Sequence, residues 1–177
     1  MNQEIEAKIK VPALSPTETR LKELGGRFMH TIHQVDTYFM DTHKLLHKNG
    51  CGLRIRRQVI SGIHTALITF KGARGPGKYK TRPEFETGID NVEMMENIFE
   101  ALGYHPRLVV EKKRSMWEWD GCEVCLDELA ELGTFIEVEG PDEAAVESVL
   151  SELNLDTEPH IHDSYAALLE RTRETLD

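Results

Sequence analysis

Glu4-Ile5-Glu6-Ala7-Lys8-Ile9-Lys10-Val11 opens the chain with a strict alternation. At the two-residue period of a β-strand, Glu4, Glu6 and Lys8 share one face, and Ile5, Ala7, Ile9 and Val11 share the other. Two carboxylates at i and i+2 repel each other unless a cation lies between them. Taken alone, the segment reads equally well as an exposed amphipathic strand, so its meaning depends on whether other strands repeat it.

They do. Arg54 and Arg56 share a face in Cys51–Val59, with Leu53 and Ile55 opposite. His64–Lys71 follows a Ser61-Gly62 turn and ends on Lys71, and Arg82, Glu84 and Glu86 are in phase in Tyr79–Ile89. Leu108–Trp119 carries Lys112 and Arg114 in one phase, and the Asp120-Gly121 hairpin signal leads into Glu123–Glu128 with Asp127. Thr134–Glu139 places Glu137 and Glu139 on one face and Ile136 and Val138 on the other, mirroring the first strand. With His33–Asp41, where Gln34, Asp36, Tyr38 and Met40 alternate with Val35, Thr37 and Phe39, this predicts eight strands.

Helices are expected between them. Ser15-Pro16-Thr17-Glu18 has the form of a capping box with Pro at the first helical position, and Gly25-Gly26 ends that helix. Asp90–Glu93 caps a helix running to Leu102, Gly140-Pro141-Asp142 starts one to about Leu153, and a last helix begins at Asp163 or Ser164. Residues 42–50 read as a loop, as do the glycine-rich residues 72–78, after which no helix pattern follows to make a phosphate loop. Pro159-His160-Ile161-His162 also reads as a loop, lacking a third metal ligand in register. Trp117 and Trp119 share a strand face and are expected to cover the end of a barrel.

A sheet with one apolar and one charged face must bury the apolar side under helices, which turns the charged side inward. The expectation is an α+β fold, one domain over residues 1–177, with a closed eight-stranded antiparallel barrel whose helices pack on the outside. Its lumen would be lined by Lys8, Arg54, Arg56, Lys71, Arg82, Lys112 and Arg114, and by Glu4, Glu6, Glu84, Glu86, Asp127, Glu137 and Glu139. Buried charge costs several kcal/mol per unpaired ion, so such a tunnel calls for a ligand. Arg and Lys suit polyphosphate oxygens, and carboxylates suit Mg²⁺ or Mn²⁺, hard cations that bridge to phosphates. One metal–triphosphate ligand accounts for both signs.

Composition narrows the remaining classes. A net charge of -10 over 177 residues argues against a nucleic-acid binder, whose surface must be basic to displace counterions. The apolar runs are too short to span a bilayer, so no membrane association is expected. The N-terminus lacks the basic and apolar regions of a signal peptide, and the three cysteines, Cys51, Cys122 and Cys125, fit reduced thiols in a cytoplasm. Cys122 and Cys125 stand three apart in a strand and point to opposite faces, which does not suit a shared metal.

The same residues carry a family resemblance. Glu4-x-Glu6-x-Lys8 resembles the ExExK signature of the CYTH superfamily, the triphosphate tunnel metalloenzymes. Gln34–Phe39, Leu53–Arg56, Thr69–Gly72, Arg82–Glu86, Lys112–Arg114, Leu126–Glu128, Gly133–Gly140 and Ser164-Tyr165 follow in that family's order and cover nearly the whole chain. The texture is most similar to class IV adenylyl cyclases, with thiamine triphosphatase-like proteins also in the family. The resemblance implies that Glu4, Glu6, Asp127, Glu137 and Glu139, and less firmly Glu86, hold the metal. It implies that Lys8, Arg54, Arg56, Lys71, Arg82, Lys112 and Arg114 bind the phosphates, and that Lys8, Glu6 and Glu139 stand closest to catalysis. It also suggests pairing as a homodimer. Attack by a ribose 3′-hydroxyl on the α-phosphate would give cyclic AMP and pyrophosphate; attack by water on the terminal phosphate would make a triphosphatase. A non-catalytic polyphosphate-binding module and a purely structural, ion-paired barrel are the competing readings.

Overall fold

The computed structural model describes residues 3–75 and 80–176, with side chains for 5–75 and 82–175. Its elements are β1 (Gln3–Val11), α1 (Ser15–Leu24), β2 (Arg27–Asp41), α2 (Leu45–Lys48), β3 (Gly52–Ile60), β4 (Ile63–Lys71), β5 (Lys80–Gly88), α3 (Val92–Ala101), β6 (Tyr104–Trp119), β7 (Cys122–Leu129), β8 (Gly133–Gly140), α4 (Glu143–Glu152) and α5 (Tyr165–Leu176).

All eight expected strands form and pair antiparallel in the order β1-β5-β4-β3-β2-β6-β7-β8. β1 also pairs with β8, Glu6 facing Glu139 and Lys8 facing Glu137. The ring of pairings thus returns to its start, as the expected closed barrel requires. β2 and β6 share a ladder from Arg27↔Glu118 to Asp41↔Tyr104, and among the described residues β1 meets β5 from Gln3↔Pro83 to Glu6↔Lys80. The result is a curled eight-stranded antiparallel sheet with its charged face inside. The glycine-rich segment falls partly on residues outside the described ones.

The apolar outer face is covered as its alternation requires. Ala7 and Ile9 of β1, Val124 and Leu126 of β7, and Ile136 and Val138 of β8 pack with Val146, Val149 and Leu150 of α4 and with Leu21 of α1. α3 covers another part of the outer face through Phe99, which meets Phe39 and Ile55. Burying such a surface is worth roughly 25 cal/mol per Å² of apolar area, so this packing holds the charged strands in place. Close approach matters at Gly140, where a Cβ would lie 2.8 Å from Cys122 Sγ and 2.9 Å from Val146 Cγ2.

α5 departs from the expectation that all helices lie outside. Its Tyr165 and Leu169 pack with Leu108, Val110, Leu129 and Phe135. Register puts those strand residues on the charged face, since Leu108 faces Tyr38, Val110 faces Asp36, and Phe135 faces Asp127 and Lys10. At this end the inner face turns apolar, and α5 enters to bury it.

Local differences have physical causes. Residues 42–50 include α2, because the Asp41 carboxylate accepts from the backbone N–H groups of His43, Leu45 and Leu46. α1 begins at Ser15 itself, its N-cap is Leu14, and no side chain caps it. α3 and α4 are capped as read, by Asn91 accepting from Met94 N and Asp142 accepting from Ala145 N. β2 and β6 start earlier than predicted, because each strand's first residues pair with the last residues of the other, Arg27 with Glu118 and Tyr104 with Asp41. Trp117 and Trp119 lie on the outer side: Trp117 joins the core under α1 and α4, and Trp119 Nε1 donates to Glu152. His160 stays in a loop and bridges Ile9. No described helix is long and apolar enough to cross a membrane.

Candidate active site

The curled sheet encloses a cavity of about 980 Å³ on its charged face. Of the residues expected at the site, Glu6, Lys8, Arg54, Arg56, Lys71, Arg82, Glu86, Lys112, Arg114, Glu137 and Glu139 line it, drawn from six strands. The backbone of Glu4 faces Arg82 across β1 and β5, and its side chain is outside the described residues. Asp127, expected among the metal ligands, does not line the cavity: it is fully buried behind the bases.

On the β1–β8 wall, Lys8 Nζ lies 3.1 Å from Glu137 Oε1 and 3.5 Å from Glu6 Oε1. It also donates to the backbone carbonyl of Asp163 at 3.1 Å and stands 4.2 Å from the centre of the Tyr165 ring. Burial opposes charge on this amine, but Glu137 and Glu6 outweigh it and hold the Lys8 pKa above the usual lysine value. Lys8 is therefore a fixed cation. Glu6 and Glu139, directly opposite one another, bring two carboxylates together on adjacent strands, a placement that is unfavourable without cations nearby.

The β6–β7 wall is organised by Asp127. Arg114 donates to it through Nε at 2.7 Å and Nη2 at 2.6 Å, Lys112 Nζ lies 3.1 Å away, and the Tyr165 hydroxyl donates at 2.8 Å. Arg114 reaches Glu137 as well, linking this wall to Lys8. Burial pushes the Asp127 carboxyl up, yet Arg114 and Lys112 more than offset it, so Asp127 is ionised. Burial and the neighbouring Arg114 lower Lys112 to about 8, against the pull of Asp127 and Glu137. Burial, with Glu137 and Asp127 nearby, raises Tyr165 well above the usual phenol value and keeps it a neutral donor.

The β2–β3 wall repeats the device with Asp36. Arg56 donates to it through Nε and Nη2, each at 2.7 Å, and Arg54 through Nη1 at 3.1 Å. Burial raises the Asp36 carboxyl, but Arg54 and Arg56 hold it well below the usual carboxylate range. On β4 and β5, Lys71 Nζ lies 2.6 Å from Glu84, Thr69 donates to Glu86 at 2.7 Å, and Arg54 Nε reaches Thr69 Oγ1 at 3.3 Å.

Sequence reasoning missed Asp36, Thr69 and the part played by Tyr165. Asp36 stands between neutral Gln34 and Tyr38, so no like-charged partner at i±2 marked it; only the facing Arg56, known once β2 and β3 are paired, reveals it. Cys122 and Cys125 take opposite faces, as read. Cys122 is in the outer core, while Cys125 faces inward beside Glu123, where burial pushes its thiol well up.

Residues 2–165 match the CYTH domain. The chain belongs to the CYTH domain family. A provisionally designated adenylate cyclase of Methanocaldococcus jannaschii is 29% identical over 174 residues, covering 93% of this chain and 97% of that protein. A solved Pyrococcus horikoshii protein is 28% identical with a TM-score of 0.83, covering 95% of this chain and 99% of that one. A Hippeastrum protein, provisionally an adenylyl cyclase and described as having dominant triphosphatase activity, shares the fold at 19% identity and a TM-score of 0.72, covering 97% of this chain and 96% of that one.

The donor set suits a hard divalent cation in kind. Among the described residues no three His, Cys, Asp or Glu side chains form a ready-made cage, but Glu6, Glu137 and Glu139 supply oxygen donors from adjacent positions of one ladder. Glu6 pairs with Lys8, and Glu137 with Lys8 and Arg114, so a metal would draw these two carboxylates from contacts with the cavity's own bases.

Proposed function

We propose that this CYTH protein binds a triphosphate with Mg²⁺ or Mn²⁺ in its curled sheet, as in a tunnel, and cleaves it. The observation that carries the reading is the convergence of seven bases from β1, β3, β4, β5 and β6 on one cavity, interleaved with carboxylates. Lys8, Arg54, Arg56, Lys71, Arg82, Lys112 and Arg114 bind the phosphates, with Arg forks matching planar oxygen pairs and Lys acting as point charges.

Glu6, Glu137 and Glu139 would hold the cation, with Glu4 and Glu86 as further donors. When bound, the cation adds charge neutralisation on the phosphate oxygens. The chain's own residues supply the rest. Lys8, fixed by Glu137, Glu6 and the Asp163 carbonyl, and Arg114, fixed by Asp127, present positive charge where charge grows on the transferred and leaving phosphates. Because these cations are held before the ligand arrives, little reorganisation accompanies the reaction. The intact acidic set separates this reading from a binding module, which needs mainly bases.

Of the two reactions, we favour cyclisation of ATP to cyclic AMP and pyrophosphate, on the strength of the Methanocaldococcus jannaschii relative that matches nearly the whole chain. Hydrolysis of a triphosphate is the second reading, favoured by the activity described for the Hippeastrum neighbour. Phosphorus NMR of the protein with Mg²⁺ or Mn²⁺ and ATP, tripolyphosphate or thiamine triphosphate separates them. Pyrophosphate with cyclic AMP identifies the cyclase, and orthophosphate identifies the phosphohydrolase. Retained binding with no turnover of any substrate would overturn the enzymatic reading.

A further inference from the structure

Asp36 is 3% exposed and does not line the cavity, yet Arg54 and Arg56, which donate to it, do. It faces Arg56 across the β2–β3 ladder and takes Nε and Nη2 of that guanidinium side-on, which turns the Nη1 edge away from it. The same carboxylate takes Nη1 of Arg54, whose Nε is held by Thr69. One aspartate therefore fixes the planes of two arginines. On the adjoining strands β6 and β7, Asp127 likewise holds Arg114 and Lys112.

We propose that Asp36 is a positioning residue for triphosphate chemistry: buried behind Arg54 and Arg56, it sets the orientation in which their guanidinium edges meet the phosphate chain. This rests on the triphosphate reading of the cavity. Two guanidinium groups with one carboxylate leave a net positive pair, so Asp36 weakens attraction for a polyanion while narrowing the directions the donors can take. A residue kept for binding strength alone would be better neutral. A carboxylate there makes sense if alignment in the reacting complex matters more than ground-state affinity.

That trade gives a distinctive expectation. In Asp36→Asn the cluster gains net positive charge and the arginines lose their fixed planes, so tripolyphosphate should bind several-fold more tightly while kcat falls tenfold or more. Asp36→Glu keeps the charge and so protects the fold, but moves the carboxylate by one methylene. It should leave affinity within about twofold and still lower kcat. Nitrogen-15 NMR of the arginine side chains gives a reading that needs no turnover. The slowly exchanging Nε–H signal of Arg56 should be sharp in the wild type, shifted in Asp36→Glu and lost to exchange in Asp36→Asn.

Unchanged kcat in both variants, or an Arg56 Nε–H signal that persists in Asp36→Asn, would overturn the assignment. Weaker tripolyphosphate binding by a folded Asp36→Asn would do so too. If the wild-type protein failed to bind tripolyphosphate, the triphosphate reading itself would fall, and the NMR signals would still decide whether Asp36 orders the two arginines.

Discussion

The Tyr165 hydroxyl, on the first residue of α5, donates to Asp127 Oδ2 at 2.8 Å inside the curled sheet. Its ring also faces two lysines, with Lys8 Nζ 4.2 Å and Lys112 Nζ 4.9 Å from its centre, and packs edge-on against Phe135. The C-terminal helix is thus tied directly to the charge network. Tyr165→Phe keeps the ring and removes one donor to a buried carboxylate, which should cost about 1.5–3 kcal/mol of stability, as for a hydrogen bond to a charged group. Denaturant unfolding of the two proteins side by side checks this, and an unchanged midpoint would show that the bond carries no weight.

Lys112 gives the site a pH dependence of definite sign. Its folded value of about 8 is below the ordinary lysine value of 10.5, so the native protein loses this proton first as pH rises. Between those values the unfolded chain binds more protons than the native one, and the Lys112 contribution to stability therefore increases with pH across that window. The proposed phosphate binding should move the other way, because a neutral amine does not attract an anion. Tripolyphosphate affinity should decline above about pH 8, and Lys112→Arg should flatten that decline. Identical profiles in the two proteins would show that Lys112 is not the titrating group.

Glu6 stands 3.5 Å from Lys8 and directly opposite Glu139. Glu6→Gln is close in shape and removes one charge from the carboxylates proposed to hold the metal. The variant should stay folded, with metal-dependent turnover lowered about a hundredfold, the order seen when one preorganised electrostatic contact is removed from an active site. Circular dichroism with a turnover assay reads both. Full activity would refute the ligand assignment.

The outer face makes a separate prediction about the scaffold. Gly140→Ala drives a methyl group into Cys122 Sγ and Val146 Cγ2, where β8 meets α4. Overpacking of this kind should cost about 1–3 kcal/mol. The thermal midpoint should fall, while tripolyphosphate affinity at a temperature where both proteins are folded stays the same.

Much of this was legible in the sequence because the charged face repeats on so many strands. Glu6 and Lys8, Arg54 and Arg56, and Glu137 and Glu139 announce their common side through a two-residue period, which needs no knowledge of pairing. Asp36 could not be read in this way, since its role depends on Arg56 lying opposite in the β2–β3 register. Tyr165 opens an amphipathic helix, and amphipathicity fixes which side is buried but not whether it packs outside or inside a curled sheet. The apolar Leu108, Val110 and Phe135 share the phase of Lys112, Asp127 and Lys10, and that change along the inner face was the signal for α5's entry.

If the charged interior is a metal-assisted triphosphate site, as proposed, tripolyphosphate must bind there together with Mg²⁺. Calorimetric titration of tripolyphosphate into the protein, with and without Mg²⁺, reads this. One binding site per chain is expected, strengthened at least tenfold by Mg²⁺ and abolished by replacing both Arg54 and Arg56 with Gln. No heat of binding in either condition, or binding indifferent to both Mg²⁺ and the two arginines, would contradict it.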